Sequence, residues 1–170
     1  VGSNSFDHRL PFNVFIASEP TMMESVREPA VAGSFYPADP VELQARLDEL
    51  LAAATVASPP PKAMIVPHAG YIYSGPVAAS GYASLVPVAG QITRIVLLGP
   101  AHRNAFSGMA VPASAAFKTP LGTIQLDTAS IHHNLLLPKV PMDEKATRLK
   151  QTRQVHPPTM HHLLRDVTSV

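Results

Sequence analysis

Two short apolar runs constrain this chain most: KAMIV at Lys62–Val66 and ITRIVLLGP at Ile92–Pro100, with one helix-length segment between them. Such runs, continuously apolar instead of alternating, suit strands covered on both faces, as in a parallel sheet. Parallel neighbours need a crossover, and the intervening segment can supply it. Ser74 is placed to cap a helix over 75–86, whose Gly75, Ala78, Ala79, Ser80 and Gly81 permit close packing on a sheet. Strand, helix and strand in this order predict an α/β fold, with a mostly parallel central sheet flanked by helices and right-handed crossovers.

The flanking segments add further elements. Asp39-Pro40-Val41-Glu42 reads as a helix start. Asp39 caps, Pro40 takes the first helical position, and Glu42 completes a capping-box-like arrangement. Leu43, Leu47, Leu50, Leu51 and Ala54 then share one face, and the prolines of ASPPPK end the helix. GMAVP (108–112) and GTIQL (122–126) read as strands joined through FKTPLG, where Pro120 and Gly122 mark a turn. Asp127 is placed to cap a helix through Leu136. Beyond Pro138 the strand signal fades, and Pro157-Pro158 would break any helix crossing it. Residues 1–25 carry no periodicity and are expected to be a disordered leader to a domain over 26–170, with a family-like start at Met22 or Met23.

Composition narrows the class. With 170 residues, 46% hydrophobic and 15% charged, the chain suits one globular domain. A net charge of +1 argues against whole-chain attraction to nucleic acid or a membrane surface. The sequence has no cysteine, which excludes disulfides, thiolate ligands and a cysteine nucleophile. No apolar run approaches the ~20 residues of a membrane span, and Val14–Ala17 is too short for a signal-peptide core, so a soluble cytoplasmic protein is expected. From Leu51 to Leu126 there is no Asp or Glu, while Lys62, Arg94, Arg103 and Lys118 are present. A small acid or an anionic peptide would meet only basic groups there.

His68 follows the first apolar run and His102 the second. Ligands of open α/β sheets bind outside the carboxyl ends of the strands, so the two rings could share one crevice and hold a transition ion. Each could equally cap its own loop by hydrogen bonding. Tyr71 and Tyr73 could bring a hydroxyl to the crevice as donor or acid, although packing beside the Gly70 turn suits an aromatic ring as well. Arg103 could hold an anionic substrate group, or remain a solvated loop arginine. GYIYSG lacks the spacing and the Lys-Ser/Thr of a phosphate loop. The pairs His132-His133 and His161-His162 would face apart on a helix, and are read as solvent-facing.

Four stretches, REPAVAGSFYP (27–37), VPHAGYIYSGPVAASGY (66–82), VLLGPAHR (96–103) and FKTPLGTIQLDT (117–128), resemble the Memo family in order and spacing. Its bacterial and archaeal members are called AmmeMemoRadiSam system protein B. The resemblance covers roughly 26–137. It implies a Memo-like fold related to class III extradiol ring-cleaving dioxygenases, whose non-haem iron sits on two histidines and a carboxylate. It matches His68 and His102 to metal-ligand positions, for iron or copper. Family chains are longer, and their third ligand-type residue, typically a cysteine, lies in a C-terminal half that has no counterpart here. A family segment like AHxxEHSLEVHLPFL, laid on Ala146–Met160, agrees at Ala146, Val155, His156 and Pro158. It places Thr147, Lys150, Gln151 and Gln154 where the family has His, Glu, His and Glu. The resemblance thus implies a fold incomplete at its C-terminal side, apparently truncated and degraded after about residue 138. The site becomes a weakly metal-binding two-histidine half-site with reduced or no activity. A non-catalytic binding module and a non-functional remnant are the alternatives.

Overall fold

The computed structural model describes residues 26–56, 58–100, 102, 110–112, 114–130 and 155–163. The leader, Arg103, His132-His133 and the Thr147 to Gln154 positions lie outside the described residues. The architecture is α/β. A small mixed sheet combines β1 (Val26–Arg27), β2 (Ala116–Thr119) and β3 (Gly122–Gln125) in that order, β1 parallel to β2 and β2 antiparallel to β3. Helices α1 (Pro40–Ala52) and α2 (Tyr71–Ala83) pack on each other, the short α3 (Pro157–Leu163) joins α1 to β2 and β3, and a 3-10 segment (Val86–Gln91) follows α2.

α1 forms as its residues dictate. The Asp39 carboxylate accepts from the amides of Val41 and Glu42, both at 2.9 Å, and Pro40 needs no hydrogen bond at the first position. Leu43, Leu47 and Leu50 are buried from one face, each worth roughly 1.5–3 kcal/mol in removed apolar surface. With Val31, Tyr36, Tyr71, Ala79 and Val155 they make the core, and Leu51 and Ala54 pack against its edge. α2 starts earlier than the capping argument predicts. Its N-cap is Gly70, and the Tyr71 amide donates to the Phe35 carbonyl at 2.7 Å. Ser74 lies inside the helix, its hydroxyl donating back to the Ala69 carbonyl at 2.9 Å. Gly75 lets α1 come close: a Cβ there would sit 3.0 Å from a Leu50 methyl.

The hairpin also shifts from expectation. β2 lies in AFKT, residues 110–112 are not strand, and FKTPLG is the hairpin itself. Gly122 closes it at φ +141°, a backbone shape favouring glycine, and its carbonyl accepts from the Thr119 hydroxyl at 3.0 Å. Asp127 accepts from the Ser130 amide and opens a helical turn at 128–130, as its capping role requires. No described helix crosses Pro157-Pro158; α3 begins there, where proline is tolerated.

The largest departure concerns the two apolar runs. Among the described residues neither 62–66 nor 92–100 is paired into a sheet, and Ile65, Val96 and Leu98 face solvent. A strand holds through its ladder and through cover on its faces. The first run is covered on one side only, where Val66 and Met64 lie against Gly81 of α2. The mostly parallel central sheet is therefore not what these residues form; the sheet present is small and mixed.

Candidate functional site

The two runs converge at their ends. The Nε2 atoms of His68 and His102 lie 3.1 Å apart, with ring centroids 5.1 Å apart and the planes at 47°. A hydrogen bond at that distance needs one ring to donate and the other to accept, hence at least one neutral imidazole. The same separation suits a shared ion. Two nitrogens 2.0–2.1 Å from one centre, at octahedral to tetrahedral angles, lie about 2.8–3.4 Å apart. The donor set fits a metal but is short. Among the described residues no group of three or more His, Asp or Glu side chains converges on one point.

His156 is the residue that the sequence reading left out of the site. α3 begins just after it, and its ring packs 5.7 Å from that of Tyr82. Burial, and then the charge of nearby His68, lower its pKa from 6.5 to about 4, so it is neutral at neutral pH. Its signal in the sequence was the agreement of Val155, His156 and Pro158 with the family segment. That agreement was visible, but nothing in the local pattern tied it to His68.

Tyr71 does not offer its hydroxyl to the crevice. The side chain is buried, bonded to the Thr159 hydroxyl at 2.7 Å and donating to the Val155 carbonyl at 3.2 Å. Burial pushes its phenol well above the usual range. Tyr71 thereby ties α2 to α3, the element that carries His156. It also lines a cavity of about 20 Å³, room for one water, together with Leu47, Leu50, Gly75, Val155 and His156. Tyr73, two residues on, is 79% exposed.

His161 and His162 do diverge, as adjacent helical residues must, but not into solvent. The His162 side chain is 7% exposed, its Nε2 2.9 Å from the Asp48 carboxylate and its Nδ1 2.8 Å from the Gln44 amide. The His161 Nδ1 lies 3.2 Å from the Thr119 hydroxyl. One ring thus seats α3 on α1, the other on the hairpin. No described helix is long and apolar enough to cross a membrane.

The chain is similar to known proteins. A family model described as Memo-like protein matches residues 27–168. A MEMO1 family protein of Aquifex aeolicus is 37% identical over 141 residues, covering 82% of this chain and 51% of its own length. One from Sulfolobus acidocaldarius is 34% identical over 151 residues, covering 81% and 53%. One from Pyrobaculum arsenaticum is 42% identical over 110 residues, covering 60% and 39%. The chain spans about half the length of the curated relatives it matches. The range matched by the family model includes both His68 and His102, and the chain belongs to the Memo family.

Proposed function

We propose that this Memo-family protein uses His68 and His102 as a two-imidazole half-site for a transition ion, iron or copper. The observation that carries the reading is the 3.1 Å approach of two ring nitrogens from residues 34 positions apart. When bound, such an ion supplies Lewis-acid and redox chemistry of the kind extradiol dioxygenases use. Two protein ligands fall short of the three usual in catalytic sites, so binding is modest and turnover reduced or absent. Neutral His156 adds no positive charge beside His68 at neutral pH, which favours a cation there. Tyr71 acts as a positioning residue through α3, while Tyr73 and Arg103 serve an anionic ligand group. In this reading 62–66 and 92–100 become parallel strands of a larger sheet once their outer side is covered, and the protein is cytoplasmic.

The test is a titration of wild type, His68→Ala and His102→Ala with Cu(II), Fe(II) and Zn(II). Each substitution should weaken binding roughly tenfold or more, and wild-type affinity should fall as the imidazoles protonate. Tight stoichiometric binding that survives His68→Ala would overturn the assignment. A metal-free binding module is the second reading, favoured by the lack of any Asp or Glu from Leu51 to Leu126. Retention of a small dicarboxylate without any metal response would select it.

A further inference from the structure

The cavity between α1, α2 and the start of α3 has a use that its walls define. Its volume is about 20 Å³, the size of one water, and its lining includes Leu47, Leu50, Ala79, Val155, Pro67 and His156. Water occupies a space of that size where two to four polar groups receive it. Here the polar side chains are engaged with one another or with backbone. The Tyr71 hydroxyl lies 2.7 Å from that of Thr159 and donates to the Val155 carbonyl at 3.2 Å. The Ser74 hydroxyl donates to the Ala69 carbonyl at 2.9 Å. Tyr82 and His156 pack ring against ring, their centroids 5.7 Å apart. The surface left facing the cavity is almost wholly apolar.

We infer that this cavity is a binding site for a nonpolar diatomic gas such as dioxygen. A molecule of that class gives up no hydrogen bonds on leaving water, and it supplies the dispersion contacts that an empty space denies the surrounding side chains. Size excludes larger apolar ligands, since a benzene-sized one needs roughly 150 Å³. Charge excludes ions: no Asp, Glu, Lys or Arg is among the lining residues, so an ion would find no counter-charge. Position gives the site its interest. Pro67 adjoins His68, so a gas held there sits beside the segment that carries the histidine pair. The bond from Tyr71 to Thr159 keeps α2 and α3 closed over the space, and α1 packs on α2 from the other side. The inference is independent of the metal reading, since no step of it requires His68 or His102 to hold an ion.

The experiment is methyl NMR of the full chain in chelator-containing buffer under pressurised dioxygen, with dinitrogen at the same pressure as the diamagnetic blank. Dissolved dioxygen is paramagnetic and speeds the relaxation of protons beside it. Leu43 is the internal control, because it is fully buried on α1 yet does not line the cavity. The enhancement at the methyls of Leu47, Leu50 and Ala79 should exceed that at Leu43 about threefold or more. Ala79→Val sets two further carbons into the space and should remove the excess, whereas Val155→Ala enlarges the space and should raise it. Circular dichroism checks the fold of each variant, and the wild-type comparison decides alone if either fails to fold. Three results would overturn the inference. One is equal enhancement at Leu43 and at the lining methyls; another is an excess that neither variant changes. The third is a resident water, seen as water–methyl cross-peaks at Leu47 and Leu50 that dioxygen does not displace.

Discussion

Acid should destabilise this protein first through His156. In the folded state burial and the neighbouring His68 hold its pKa near 4, from an ordinary 6.5. Unfolding returns the ring to water, where it takes a proton at about pH 6.5. Between those two values the unfolded chain binds a proton that the folded one refuses, so stability rises with pH across the window. The contribution is fully present above pH 6.5 and is lost as pH falls toward the folded value. A fall from 6.5 to about 4 corresponds to about 3 kcal/mol, a large share of the 5–15 kcal/mol typical of a domain. The assay is urea unfolding in chelator-containing buffer, stepped from about pH 7.5 to about pH 4, on wild type and His156→Gln. Wild type should lose about 3 kcal/mol over the window, and the variant's profile should be flatter by that amount, whatever its absolute stability. Asp127 acts elsewhere. The Ser130 amide and hydroxyl, and then Arg94, lower its pKa from 3.8, so its contribution is present above the carboxylate range and is lost only below it. Parallel profiles for wild type and His156→Gln would refute the argument.

Tyr71→Phe should cost about 1–3 kcal/mol in thermal or urea unfolding, because it leaves the buried Thr159 hydroxyl without its 2.7 Å partner. Tyr36→Phe should be neutral or stabilising by the same assay. Among the described residues the buried Tyr36 hydroxyl has no hydrogen-bond partner, and burial raises its pKa to about 12. Gly122→Ala should cost about 1–3 kcal/mol, since it forces a side chain at φ +141° and sets a Cβ 2.5 Å from the His161 ring; an unchanged unfolding midpoint would show that the hairpin and α3 are not seated as described.

What the sequence made legible was chemistry that completes itself within a few residues. Asp39 caps α1 because the amides it needs are two and three positions away. Ser74 misled for the converse reason. A hydroxyl near a helix start can accept from an amide ahead or donate to a carbonyl behind, and the amide that fixes this start is Tyr71's, held by Phe35 from a distant loop. The histidine pair was readable because each ring follows an apolar run, and the ends of the two runs meet at the rings. His156 and His162 were not, since their meaning comes from Tyr82 and His68 in one case and from Asp48 and Gln44 in the other.

The apolar runs show where such reading stops. Alternation over 64–69 is a local property of an extended chain, and it is present. A ladder is a property of two segments, and the apolar character of 92–100 says only that its faces want cover, not which atoms supply it. α2 supplies part of that cover, through the glycine that lets Val66 approach. In the described residues Val31, Leu43, Leu47 and Leu50 are committed to the core that includes Tyr71 and Val155, while Val41, Ile72 and Val77 face solvent. A core that is closed on itself cannot also cover Ile65, Val96 and Leu98. Their exposure is thus a consequence of how the described residues pack, on the two segments that end at the histidine pair.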